Sequence, residues 1–273
     1  MLCFRKIRFC VSAHTGPTNS SGPFLRAGEI LMGDSNKLLK YKRLLLVLTA
    51  SVLFACGIAA IANQKTSAAP NIFVADKGKF AIQVDGKTVA HEEFEIVPAG
   101  AGWTAKGTTE LKVPGTTPSS VTGTLTLQPD GAPISYEWVS QGEKTNGAHI
   151  LFANGVAKVT LEMQGARPFE QDMSFNTPLV AILDNNLYHQ YAVLARLYDW
   201  QKRGPQTFPV LIPQELTPGS INVEATGQTT VAGKTYEGLR ATTSDIEVLL
   251  YLDKDHRLDR LEVASAKVAV IRE

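Results

Sequence analysis

The chain predicts a mainly β fold: a strongly curved antiparallel sheet, or partly open barrel, of ten or more strands, with one amphipathic helix at about 184–203 packed against it. Three observations carry this. Short runs of alternating apolar and polar residues recur from residue 77 to the end, separated by Gly-, Pro- and Asp-rich breaks. Asp85-Gly86 and Asn154-Gly155 are hairpin dipeptides. Only Pro178 to Arg203 departs from this pattern, with apolar residues at three- and four-residue spacing. No fixed-period repeat is present, which argues against propellers and solenoids.

Targeting precedes the fold. Residues 1–31 are basic, mixed and without period, and read as an extension without structure of its own ahead of the true start at Met32. Lys37, Lys40, Lys42 and Arg43 then form a positive n-region before the apolar run Leu44 to Ile61, so 32–62 reads as a signal peptide or membrane anchor. Three outcomes stay open. Ala60-Ile61-Ala62 offers cleavage before Asn63, with Thr66-Ser67-Ala68 as a second candidate. Leu53-Phe54-Ala55-Cys56 resembles a bacterial lipobox, which makes Cys56 a candidate lipidation site. The run is also barely long enough to remain as an anchor in contact with the membrane. Each outcome exports the main domain to the periplasm or envelope.

Residues 63–76 read as a linker and 77–273 as one antiparallel β domain. In the first hairpin a two-residue turn at Asp85-Gly86 pairs Ile82 with Val89 and Phe80 with His91. The apolar phase then shifts to Phe94 and Ile96, which predicts a β-bulge near His91 to Glu93. Strand neighbours point to opposite faces, so His91, Glu92 and Glu93 read as a solvated strand rather than a converging metal or proton-transfer cluster. Trp103 to Val113, Val121 to Leu127, and Ile134 to Trp138 continue the series. In the Asn154-Gly155 hairpin, Ile150 and Phe152 share a face with Ala157, Val159 and Leu161, and His149 falls opposite Thr160. A strand around Phe169 to Phe175 leads into the helix.

For the helix, Leu187, Tyr191, Leu194, Ala195 and Tyr198 form one stripe. Asp184 or Asn185 is the expected N-cap, Lys202 and Arg203 suit the C-terminal dipole, and Gly204-Pro205 ends it. Asn185, His189, Arg196, Asp199 and Arg203 fall opposite the stripe; Val193, Leu197 and Trp200 suggest a second apolar contact. Beyond it, QTFPVLIPQ with its two prolines suits an edge strand or crossing segment. Ile221 to Ala225 and Thr235 to Ala241 flank a Gly/Thr-rich turn, Ile246 to Leu252 and Leu258 to Val263 flank a hairpin turn at Asp253 to Arg257, and Lys267 to Arg272 closes the sheet.

Net charge is +1 over 273 residues with no basic stripe, which argues against a nucleic-acid partner. Cys3, Cys10 and Cys56 all precede the β domain, which removes thiol catalysis and Cys-based metal sites from it. No nucleophile elbow, HExxH, P-loop or Rossmann glycine pattern occurs, and His91, His149, His189 and His256 lack metal-ligand spacing. No catalytic residue, cofactor or metal is expected. Asn185 and His189, one helical turn apart, form a candidate polar site for an anion, although capping alone accounts for Asp184 and Asn185.

The segments GKFAIQVDGKTVAHEEFEI and IEVLLYLDKDHRLDRLEV resemble those of uncharacterised bacterial envelope proteins, whose architecture is similar to the curved sheet of lipoprotein-carrier (LolA-like) proteins. The resemblance implies a periplasmic role in handling lipids or lipoproteins and transfers no catalytic residue. Two readings follow. One is a non-enzymatic envelope protein that binds a hydrophobic small molecule or lipid between sheet and helix, lined by Leu187, Tyr191, Leu194, Tyr198 and Trp138. The other is a structural or protein-interaction module with an envelope partner. A hydrolase using dispersed carboxylates ranks last.

Overall fold

The computed structural model describes residues 70–111 and 118–273. The signal or anchor at 32–62 and Cys56 lie outside the described residues. Fifteen strands form one curved, unclosed sheet. Eight of them, β1 (Asp76–Val84), β2 (Lys87–Ala99), β3 (Gly102–Leu111), β4 (Ser119–Leu127), β5 (Pro133–Gln141), β6 (Asn146–Ala153), β7 (Val156–Met163) and β8 (Phe169–Ser174), meander outward in order. The chain then crosses to the far edge and meanders back: β9 (Ala181–Ile182), β10 (Gln206–Ile212), β11 (Thr217–Val231), β12 (Lys234–Thr242), β13 (Glu247–Leu252), β14 (Leu258–Val263) and β15 (Val268–Arg272). The last strand pairs with the first, and Arg272 fixes that seam by a bidentate bond to Asp76. Every pairing is antiparallel except β9 with β10.

Helix α1 (His189–Leu197) sits between β9 and β10 in the chain and inside the curve in space. It touches both β3 and β14. Those strands are four steps apart in the sheet, about 19 Å if it were flat, whereas a helix with its side chains is about 10–12 Å across. The sheet therefore wraps the helix. Eight of its nine residues are buried, only Arg196 being half-exposed.

Four details differ from the sequence pattern. First, α1 is shorter than 184–203. Asp184 and Asn185 lie outside it, the N-cap is Tyr188 with no local side-chain cap, and the helix stops when Tyr198 turns extended. Burial on all sides also removes the polar face assigned to His189, while Val193 and Leu197 are packed into the core, as a second apolar contact requires. Second, QTFPVLIPQ is β10, one strand in from the edge; β9 pairs only with Val210 and Leu211, so Pro209 has no second ladder to break. Third, the Gly/Thr-rich stretch after Ala225 is not a turn but the continuation of β11 to Val231, with a register shift around Gly227.

The fourth difference matters most. In the first hairpin the register shift falls between Ile82 and Gln83, which leaves Val89 as the extra residue, earlier than the predicted bulge. Ile82 then pairs with Ala90 and Phe80 with Glu92. A one-residue slip exchanges the two faces of a strand. Glu92 consequently points into the fold, fully buried, while His91 and Glu93 face outward. The Asn154-Gly155 hairpin keeps its expected register, including His149 opposite Thr160.

Candidate functional site

The concave face is organised in cross-strand rows. One runs Phe80, Glu92, Thr109, Val121; the next Phe94, Gly107, Gly123, Trp138, Ala148; a third Ile96, Ala105, Leu125, Tyr136, Ile150. Glycines at Gly107 and Gly123 leave a recess in the sheet floor. A Cβ on Gly107 would overlap His189 Nδ1 and stand 2.6 Å from Glu92 Oε1; one on Gly123 would stand 2.5 Å from Leu187 Cδ1 and 2.8 Å from the Tyr136 hydroxyl. The start of α1 occupies this recess.

The first amide groups of a helix need acceptors, and here they lie in the interior where water cannot serve. Glu92 supplies them from β2. Its carboxylate accepts from Tyr188 N–H (2.8 Å) and His189 N–H (3.2 Å), and Glu92 Oε1 stands 2.5 Å from His189 Nδ1. An ionised carboxylate only accepts, and opposite one Nδ1 is the donor. Helix dipole and imidazole together compensate a charge that would be prohibitive alone. The ring of His189 lies parallel to Phe94 at 6.3 Å, and Phe94 stacks on Phe80. Both members of the pair are inaccessible to solvent, and His189 Nε2 has no hydrogen-bond partner among the described residues.

Beside it is a second buried network. Asp184 accepts from the Tyr136 hydroxyl (2.9 Å), Asn185 N–H (3.1 Å) and Gln214 N–H (2.9 Å). Gln190 donates to Tyr136 (3.1 Å) and accepts from Asp184 N–H (2.5 Å). Burial raises the Asp184 carboxyl to about 7 despite its donors, and burial together with the neighbouring Asp184 pushes the Tyr136 hydroxyl well above its ordinary value. Thr109 ties the approach to the helix by donating to Asn186 O (2.5 Å).

Asn185 and His189 do not converge. Asn185 donates to Glu215 Oε1 (3.0 Å) on the turn after β10, whereas His189 faces Glu92. Leu187, Tyr191, Leu194, Tyr198 and Trp138 are all core residues, at most 7 % exposed. Trp138 Nε1 is buried without a hydrogen-bond partner among the described residues. Three surface hollows, of about 400, 380 and 390 Å³, lie elsewhere, the first over Lys79, His91, Glu93 and Glu110 on the outer face. None is lined by the five residues. Among the described residues no group of three His, Cys, Asp or Glu is placed to hold a metal.

Glu92, Tyr136, Gln190, Gly107 and Gly123 were not singled out as site residues by pattern, apart from Glu92 in the His91–Glu93 run. The available signal for Glu92 was parity: once Val89 is the bulge, Glu92 shares a face with Phe94 and Ile96. Chemically, the arrangement holds a carboxylate and an imidazole away from water and fixes the helix; neither group reaches solvent to meet a substrate.

No family model matches the chain, and no curated protein matches it. Among solved structures, the chain is similar to a β-barrel-like protein of the domain of unknown function DUF1849 from Brucella abortus, at TM-score 0.49 and 10 % identity over 73 % of this chain and 95 % of that one. It is also similar to a DUF1089 family protein from Pseudomonas aeruginosa, at TM-score 0.38 and 13 % identity over 63 % and 88 %.

Proposed function

We propose that this protein is a non-enzymatic structural and interaction module of the bacterial cell envelope, exported by its Met32 signal segment. The observation that carries the reading is the plug. Eight of nine residues of α1 are buried inside the curved sheet, and its start is locked there by Glu92. An interior closed in this way favours a rigid scaffold that acts through its surface. The other reading, a lipid held between sheet and helix, requires Leu187, Tyr191, Leu194, Tyr198 and Trp138 to leave their packing and the Glu92 bonds to break.

Native mass spectrometry of the protein purified from the envelope fraction tests this. The expected result is the mass of the polypeptide alone; a stoichiometric lipid in the spectrum overturns it. Export is tested separately by fusing alkaline phosphatase after Glu273. The fusion is expected to be active, and inactive full-length fusion protein in the cytoplasm rules export out.

A further inference from the structure

The two ends of the sheet are finished differently. At one, β9 is two residues long and fully buried. At the other, β8 exposes five of its six residues and has no strand beyond it among the described residues. Phe175 N–H donates to Gly155 O (2.7 Å). Antiparallel alternation then turns the N–H and C=O groups of Phe169, Gln171 and Met173 toward β7, and those of Glu170, Asp172 and Ser174 outward. An open row of this kind is a template for another strand.

Charge decides which strand. Glu170 and Asp172 share the convex face, and neither forms an ion pair with another described residue, although Lys158 lies opposite Asp172 on β7. Antiparallel pairing with a second copy must keep convex against convex. The central registers then put Glu170 opposite Asp172, Asp172 opposite itself, or Glu170 opposite itself. Like charges directly opposite are destabilising, so a second copy is disfavoured in each. On the concave side Phe169, opposite Leu161 on β7, is 46 % exposed, and Met163, the last residue of β7, is 44 % exposed.

We infer that β8 is a strand-addition site for an extended segment of another protein that alternates basic and apolar residues. Its basic side chains face Glu170 and Asp172, and its apolar ones cover Phe169. This rests on the interaction-module reading and names the partner's chemistry.

The probe is a capped octapeptide of alternating lysine and valine, with an alternating glutamate and valine peptide as control. Hydrogen exchange on the full chain reads the site. The lysine peptide is expected to protect the amides of Glu170, Asp172 and Ser174, with affinity falling as salt rises; the glutamate peptide leaves them unprotected. Asp172→Pro removes one outward N–H without touching the β7 ladder and is expected to weaken binding about tenfold. Glu170→Lys with Asp172→Lys, which keeps every backbone group, is expected to exchange the preference between the two peptides. Equal binding of both peptides by the native chain, protection away from β8, or undiminished binding by Asp172→Pro overturns the inference. So does a concentration-dependent dimer that protects the same amides without peptide. None of these outcomes alters the polypeptide mass on which the plugged-scaffold reading depends.

Discussion

The two ends of α1 are anchored by opposite chemistry. At the start, Glu92, His189, Asp184, Tyr136 and Gln190 form buried polar networks over a floor of glycines. At the finish, aromatic rings take over. Trp200 lies flat on His256 at 3.9 Å and edge-on to Tyr198 at 5.0 Å, while the Tyr198 hydroxyl donates to Gly204 O (2.9 Å). Burial, then the charge of Arg196, holds His256 below the ordinary histidine value. Depth explains the contrast. Orphan N–H groups deep in the sheet must be given acceptors by the protein, whereas the end near the rim, where Asp199 is exposed and Trp200 half-buried, can use water and stacking.

The polar anchor is most vulnerable at Glu92. Glu92→Ala leaves two buried amides and the imidazole without an acceptor and is expected to lower the unfolding free energy by about 4 kcal/mol, read by urea denaturation. A loss under 1 kcal/mol would mean the carboxylate is not the cap. Gly107→Ala puts a methyl group into His189 and Glu92 and is expected to cost about 2–3 kcal/mol. At the other end Trp200→Ala and His256→Ala in a double-mutant cycle are expected to show a coupling of only about 1 kcal/mol. Coupling equal to that between Glu92 and His189 would erase the distinction between the two ends.

Asp184 adds a pH signature to the polar end alone. Its folded value, about 7, lies above the ordinary carboxyl value of 3.8, so the folded state holds the proton more tightly. The contribution is complete below about pH 4 and is lost as pH rises through about 7, with a slope of at most about 1.4 kcal/mol per pH unit. Asp184→Asn, which cannot titrate, is expected to flatten that part of the profile. A wild-type chain whose stability relative to Asp184→Asn rises from pH 4 to pH 7 would contradict the assignment.

The class of fold is legible in the sequence because its signals are local. Period-two alternation marks strands, Asp85-Gly86 and Asn154-Gly155 mark tight turns, and the Leu187, Tyr191, Leu194 stripe marks the helix. Leu187, Tyr191, Leu194, Tyr198 and Trp138, expected to line a ligand space, are core residues in the structure. What only the tertiary structure decided is everything that depends on partners distant in the chain. The acceptor for the helix start is 97 positions from His189, so no capping pattern around Asp184 could reveal it. The parity of Glu92 hangs on a single extra residue at Val89, and alternation is blind to such a slip until the strands are paired. A helix buried on every face also cannot be told from an amphipathic one when part of what surrounds it is polar. His189 and Gln190 look like solvent-facing residues until the groups that receive their hydrogen bonds are seen.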